Sequence, residues 1–152
     1  MSYTVADIKK LREETGAGML DCKKALEEAK GDYKSAIEVV RKRGLAKAEK
    51  KADRETNEGY IASYVHANNK VAAMVEILCE TDFVARNEEF QVMAKDVAMH
   101  VVAMNPENLE ALMADQFIKD PSKTIEELVK GVSGKIGEKF VVNRFQRFEV
   151  GE

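Results

Sequence analysis

The sequence predicts an α+β protein: an N-terminal three-helix module, then a domain in which helices cover one face of a three-stranded antiparallel sheet. Two changes of hydrophobic period support this prediction. Apolar residues recur at helical spacing through residues 1–50, alternate with other residues from Gly59, and return to helical spacing at Phe90. A charged stretch at 51–58 reads as a solvated linker. The predicted units are therefore a module (1–50), a linker (51–58) and a core domain (59–152).

Caps and glycines mark the three helices of the module. Thr4 and Asp7 form a capping-box pattern ahead of the first helix, and residues 16–18 (Gly-Ala-Gly) interrupt the chain after it. Gly31 stops the second helix and Asp32 caps the third. Helices this short bury little surface, so we expect the module to be marginally stable alone. The apolar stripes are Val5, Ile8 and Leu11; Cys22, Ala25, Leu26 and Ala29; and Tyr33, Ala36, Ile37 and Val40.

A hairpin and a long helix open the core domain. Residues 60–66 are β-branched and aromatic, residues 71–77 alternate, and Asn68-Asn69 between them tolerates positive φ. This pattern predicts two strands joined by a two-residue turn. Helical spacing then runs from Phe90 to Met104 and ends at Asn105-Pro106.

The rest of the core domain predicts further helix and one more strand. Pro121-Ser122 is expected to open a helix, and Gly131, Gly134 and Gly137 are expected to loosen the chain around Ile136. An isoleucine between glycines suits an apolar contact made where another backbone approaches closely. The closing strand, residues 140–150, changes phase near Arg144-Phe145 and predicts a bulge.

Composition restricts the classes of function. Of the 152 residues, 45% are hydrophobic and 34% are charged, which is typical of a globular protein, and the net charge of −3 gives no electrostatic reason to expect nucleic acid as the main partner. The first residues lack a signal-peptide pattern and no run is long enough to span a bilayer, so we expect a cytoplasmic protein without a membrane partner. Cys22 and Cys79 lack metal-ligand spacing and predict free, partly buried thiols, and no cofactor or metal is expected.

The most informative segment is residues 80–87, with the sequence ETDFVARN. It places a phenylalanine beside a carboxylate, between a strand pattern that has ended and a helix pattern that has not begun. Phe83 either returns to the core or protrudes into a partner, and residue type alone leaves both readings open. An acid such as Asp82 beside an exposed ring could disturb a charged site, for example a metal bound to phosphates.

Two other classes of function compete with partner binding through this segment. An enzyme would use Cys79 as nucleophile with His66 or His100 as base, but nothing around Cys79 resembles an activated thiol, so we do not expect an enzyme. A simple binding module would use the three-helix unit alone to recognise a ubiquitin-like protein or RNA. The arginines and aromatics of the closing strand resemble an RNA-stacking strand, although the glycine-rich motif of RNA-recognition sheets is missing.

Five segments resemble one family across nearly the whole chain. They are residues 11–19 (LREETGAGM), 21–26 (DCKKAL), 79–87 (CETDFVARN), 135–138 (KIGE) and 147–152 (RFEVGE). In this order they resemble translation elongation factor Ts, the guanine-nucleotide exchange factor for elongation factor Tu. The resemblance implies that the N-terminal module is ubiquitin-associated-like (UBA-like) and that its glycine-rich corner docks on the partner.

The resemblance also implies roles for particular residues. Arg12, Met19 and Leu20 would meet a helix of the partner's nucleotide-binding domain. The segment 81–84 would enter beside the partner's magnesium site and dislodge the ion, and residues 136–137 would press on backbone near the phosphate-binding loop. The residues concerned are Thr81, Asp82, Phe83 and Val84, with Phe83 wedging between helices, and Ile136 with Gly137.

The chain departs from the long members of that family. It ends at Glu152, directly after the closing strand, and holds one core subdomain without the second copy and the helical-hairpin insertion. Short members pair, so that two copies replace the two subdomains. The resemblance therefore implies a homodimer that binds two elongation factor Tu molecules in a two-plus-two complex.

Overall fold

The α+β class is confirmed by a computed structural model, which describes residues 3–152; the first two residues of the predicted module lie outside this range. Over the described residues the chain forms seven helices and five strands. The helices are α1 (Val5–Thr15), α2 (Met19–Glu28), α3 (Tyr33–Glu49), α4 (Asp82–Ala85), α5 (Glu88–Met104), α6 (Leu109–Ala114) and α7 (Ile125–Ile136). The strands are β1 (Glu58–Val65), β2 (Val71–Cys79), β3 (Gln116–Phe117), β4 (Asp120–Thr124) and β5 (Val141–Glu149).

The main sheet has three antiparallel strands, as predicted, and their order is β1-β2-β5. Its register pairs Tyr60 with Ile77 and, across β2, Ile77 with Val142. The predicted bulge is confirmed: the pairing of β2 with β5 shifts between Glu76 and Ile77, which leaves Asn143 as the extra residue of β5. The bulge explains why the hydrophobic phase of the closing strand changes.

One face of this sheet is covered and the other is open. Alternate residues of the strands pack with the apolar stripe of α5 into a cluster that includes Phe90 and Val97, both fully buried. Phe90 also meets Phe140 edge-to-face, with 4.8 Å between ring centroids. The opposite sheet face carries exposed Ile61, Val65, Met74 and Phe148. Helices therefore cover a single face, as the alternation in β1 and β2 predicted.

The N-terminal helices enclose a second, smaller cluster built around Leu11 and Leu26. The capping box of α1 is present: the Thr4 hydroxyl accepts from the N–H of Asp7, and the Asp7 carboxylate accepts from the N–H of Thr4 at 2.7 Å. Gly16 ends α1 with a left-handed φ of 69°, which explains the break. The UBA likeness of these helices and the three-part division of the chain stay predictions.

The N-terminal helices dock on the core through α3 and α7. A Cβ placed on Gly134 would lie 2.3 Å from the carbonyl oxygen of Gly44, so the two backbones touch where these helices cross. Beside the crossing, the Arg41 guanidinium donates to the Glu127 carboxylate and, at 2.9 Å, to the carbonyl of Ser122. Only glycine at position 134 permits this approach.

Three local predictions were wrong. The hairpin turn is longer than two residues: Asn69 alone has positive φ, at 57°, and Asn68 instead accepts the Lys70 N–H through its side chain. Pro121-Ser122 does not open a helix but lies in β4, because the capping box that starts α7 is formed by Thr124 with Glu127. Gly131 and Gly134 do not loosen the chain, because both lie inside α7.

Candidate functional site

Phe83 is displayed on the surface by a single turn of helix. Strand β2 ends at Cys79, and α4 occupies only Asp82–Ala85 before α5 begins. Val84 packs partly against the main core, whereas Phe83 is 79% exposed, the most exposed large hydrophobic side chain among the described residues. Of the two sequence readings, the protruding ring is the one observed.

Two polar caps fix this turn. The Thr81 hydroxyl accepts from the N–H of Val84 at 3.4 Å and caps α4, and the Asn87 side chain accepts from the N–H of Phe90 at 3.1 Å and caps α5. Because the two caps are only six positions apart, α4 and α5 are separate helices and do not merge into one. We call the segment from Thr81 to Asn87 the ledge, and Phe83 points outward from it.

The second predicted segment, residues 136–137, lies at the end of α7. Ile136 is the last helical residue and is partly buried against the core, so it is less free than Phe83. Gly137 follows in the left-handed region, with φ of 98°, and donates its N–H to the carbonyl of Ser133 at 2.8 Å. A Cβ on Gly137 would meet nothing within 4 Å, so the requirement for glycine is conformational.

Glu138 joins the two segments. Its Oε1 accepts the N–H groups of Glu80 at 3.1 Å and Thr81 at 3.0 Å, and its Oε2 accepts the Thr81 hydroxyl at 2.7 Å. In return, the Glu80 carboxylate accepts the N–H of Lys139 at 2.7 Å. The linker adds Arg54, whose guanidinium donates to the Glu80 carboxylate at 3.4 Å and to the carbonyl of Gly137 at 3.3 Å.

The third predicted group is Arg12, Met19 and Leu20, on α1 and α2. These residues flank the N-terminal corner, which is the turn at residues 16–18 between the two helices. Arg12 and Met19 line a shallow hollow together with Lys135, the residue just before Ile136. Lys135 lies over Gly16 and donates to the Glu89 carboxylate at 2.6 Å. The fold thus brings this corner to the same end of α7 as residues 136–137. Leu20 is 63% exposed on α2.

Charge beside the ring is balanced in the free protein. The Asp82 carboxylate pairs with the Arg86 guanidinium one helical turn later, and both side chains are more than half exposed. An exposed pair of this kind is worth about 0–1 kcal/mol, so it can open at small cost when a partner approaches. The ledge therefore presents an apolar ring with a carboxylate that is readily freed.

The candidate nucleophile and one candidate base of the enzyme alternative have surroundings that the structure defines. No group of three or more potential metal-ligating side chains occurs among residues 3–152. Burial, followed by the negative charges of Glu138 and Glu58, raises the pKa of Cys79 to about 11, which keeps the thiol protonated near neutral pH. His100 is fully buried and hydrogen-bonded to Asp115 at 3.1 Å. These are not the surroundings of an activated nucleophile.

Sequence reasoning missed the residues that assemble the site. Glu138 received no role, although it lies within a segment that matched the family, and Lys135 and Arg54 were also overlooked. Glu138 and Thr81 are separated by 57 positions, so no local period or motif indicates their contact. Glycine at 137 is the one usable signal, because a left-handed stop predicts that the chain turns back there.

Comparison with known proteins decides the family. A family model described as Elongation factor TS matches residues 80–152, a range that includes the ledge, the end of α7 and Glu138. Elongation factor Ts of Thermosipho melanesiensis is 45% identical over an alignment that includes 95% of this chain and 97% of the relative. The chain belongs to the elongation factor Ts family. As a member, it is a translation elongation factor.

Other elongation factor Ts proteins differ from this chain in extent. The protein of Thermodesulfovibrio yellowstonii is 40% identical over 196 aligned positions, with 100% of this chain and 98% of the relative included. Since this chain has 152 residues, that relative has positions without a counterpart here. The protein of Aquifex aeolicus is 47% identical over 98% of this chain, which corresponds to 53% of the relative.

Every helix within residues 3–152 is too short or too polar to cross a membrane.

Proposed function

We propose that this elongation factor Ts protein is a guanine-nucleotide exchange factor for elongation factor Tu. The observation that carries the proposal is the exposed ring of Phe83 on the capped ledge. Beside it lies the Asp82 carboxylate, which is held only by an exposed ion pair with Arg86. A core phenylalanine would be buried, so the exposed ring is available to a partner. Membership of the elongation factor Ts family supports elongation factor Tu as the partner.

The three groups of residues have separate tasks in this mechanism. Arg12, Met19 and Leu20 dock on a helix of the partner's nucleotide-binding domain. Phe83 wedges between partner helices, with Thr81, Asp82 and Val84 beside it, and displaces the magnesium ion. Ile136 and Gly137 press on the phosphate-binding loop. Loss of the ion removes the largest local charge that balances the diphosphate, so GDP leaves faster.

The thermodynamics need no covalent step, so we propose that the protein is not an enzyme. Exchange passes through a state in which factor and nucleotide are both bound and each weakens the other. By linkage the effect is reciprocal: a factor that loosens GDP a thousandfold, or about 4 kcal/mol, is itself loosened equally by GDP. The binding energy gained at the N-terminal corner offsets the free-energy cost of distorting the partner's phosphate site. GTP then rebinds and expels the factor.

The decisive experiment follows release of a fluorescent GDP analogue from elongation factor Tu, with excess unlabelled nucleotide as trap. We expect substoichiometric amounts of this protein to accelerate release many-fold, because a catalyst is recycled. Folded protein that leaves the release rate unchanged would contradict the proposal. The same outcome would favour the simple binding module, in which the three-helix unit binds its target without any exchange activity.

We also propose that the protein is a homodimer formed through the open face of the main sheet. Ile61, Val65, Met74 and Phe148 all lie on that face, because alternate residues of β1, β2 and β5 point to the same side. The ion pair between Glu76 and Arg144 shares the face with them. Two such faces can stack as a sandwich about 10 Å apart. A second copy is the occupant that fits best, since the same face then supplies both halves and the docking corner stays free on each protomer.

Sedimentation equilibrium tests the dimer. The wild-type chain is expected to sediment at twice its 17.0 kDa mass, and Phe148→Glu, which places a charge on the 63% exposed ring position, should shift it to the monomer. Ile118→Glu is the matched control, because Ile118 is an exposed hydrophobic residue outside the main sheet. A monomeric wild type, or a dimer that survives Phe148→Glu, would refute this interface.

A further inference from the structure

The carboxylate of Glu138 occupies an unusual position between the two partner-facing segments. It accepts three hydrogen bonds from residues 57 and 58 positions earlier in the chain: two backbone N–H groups and the Thr81 hydroxyl. The two N–H groups belong to Glu80 and Thr81, which lie beyond the end of β2. The sheet therefore does not satisfy them, and Glu138 does.

We propose that Glu138 is a positioning residue of the exchange reaction, which ties the ledge bearing Phe83 to the end of α7 so that both reach the partner as one unit. This inference rests on the proposed exchange function. Glu138 itself need not touch the partner. It acts through the residues that it holds.

The geometry at Thr81 gives the physical reason. The hydroxyl has one hydrogen, which it donates to Glu138, and this leaves a lone pair for the N–H of Val84 that caps α4. Without the carboxylate the hydroxyl can rotate, and the cap of a helix of only four residues weakens. The direction of Phe83 depends on that turn.

The connection is made in both directions, which makes it stiff. The Glu80 carboxylate accepts the N–H of Lys139 and pairs with Arg54, and Arg54 also donates to the carbonyl of Gly137. Each chain segment thus supplies a carboxylate to the other's backbone. The left-handed conformation of Gly137 turns the chain so that Glu138 faces Thr81.

The first test uses Glu138→Ala and Glu138→Gln in the fluorescent GDP release assay, with Glu126→Ala as control. Glu126 lies in the first turn of α7, at the end of the helix remote from Glu138, where it pairs with Lys130. We expect the maximal release rate to fall at least about tenfold for Glu138→Ala and less for Glu138→Gln, because a displacement of about 1 Å can cost about a hundredfold in rate. The concentration for half-maximal release should change less than the maximal rate, since docking through the N-terminal corner is retained.

A double-mutant cycle with Phe83→Ala separates positioning from general stability. If Glu138 acts through Phe83, removing Glu138 from the Phe83→Ala protein should reduce the rate much less than it does in the wild type. Equal losses in both backgrounds would overturn the proposal. So would a Glu138→Ala protein whose maximal rate stays within about twofold of the wild type.

Amide hydrogen exchange of the protein alone tests the connection without any partner. The amides of Glu80 and Thr81 should exchange at least about tenfold faster in Glu138→Ala, while those within β2 keep their protection. If these two amides stay protected, the proposed connection is wrong. If the wild type does not accelerate GDP release but the two amides lose protection on substitution, the exchange function fails and the positioning of the ledge by Glu138 stands.

Discussion

Replacing Phe83 by alanine removes the ring from the ledge and leaves its scaffold in place. Truncating a fully buried phenylalanine costs about 3–5 kcal/mol of folding stability. Phe83 is 79% exposed, so only about a fifth of that burial is present in the free protein. We therefore expect the free energy of unfolding to fall by less than about 1 kcal/mol.

The loss in the complex should be much larger. A phenylalanine side chain buries about 200 Å² when fully enclosed, and each Å² is worth about 25 cal/mol. Enclosing the exposed four-fifths of the ring between partner helices is then worth at most about 4 kcal/mol, and interface hot spots cost about 2–4 kcal/mol when truncated. The efficiency of exchange should fall between about 30-fold and about 1,000-fold.

Two measurements on the same protein decide the matter. Urea unfolding gives the stability of Phe83→Ala, and fluorescent GDP release from elongation factor Tu gives its exchange efficiency. Ile118→Ala is the control for the loss of an exposed apolar side chain elsewhere, because Ile118 is 45% exposed and lies outside both partner-facing segments. A stability loss of about 3 kcal/mol with exchange intact would show that the ring belongs to the core, and the wedge would be refuted.

Three further predictions concern stability, thiol reactivity and pH. Gly134→Ala should lower the melting temperature, because the added Cβ meets the backbone of Gly44. Gly131→Ala should raise it, because a Cβ there meets nothing within 4 Å and alanine has the higher helix propensity. The opposite order of melting temperatures would refute the close crossing of α3 and α7. Both buried cysteines should react with a colorimetric disulfide reagent at pH 8 only after unfolding. Burial raises the pKa of Cys79 from 9.0 to about 11, so the protonated thiol stabilises the folded state below pH 9, and this contribution is lost as the pH rises toward 11. Urea unfolding of the wild type and of Cys79→Ser across this pH range measures the loss.

Local patterns predicted most elements because they arise from local causes. The capping box at Thr4, the left-handed stop at Gly16 and the alternation of β2 each depend on residues within a few positions of one another. One error occurred where two local signals competed. Pro121 is allowed at a helix start, but the complete capping box of Thr124 with Glu127 outweighs it, and residues 120–124 form a strand.

The candidate site was predictable in its parts and not in its assembly. Phe83 beside Asp82 after a strand indicates a displayed ring, and glycine at 137 indicates a turn. The contact of Glu138 with Thr81 joins residues 57 positions apart, and no period in the chain encodes it. Ile136 lies between glycines in the sequence, yet its partial burial follows from the packing of α7.

The sequence by itself determined the fold class, the boundaries set by caps and glycines, and the family, because each of these is written in residue types at short spacing. Tertiary structure alone decided what those elements do together. It left Phe83 exposed while Val84 packed inward, placed Gly44 against Gly134, and brought the carboxylate of Glu138 to two N–H groups that no strand could satisfy. Such contacts depend on how the surfaces of segments distant in the sequence pack together, and that packing exists only in the folded protein.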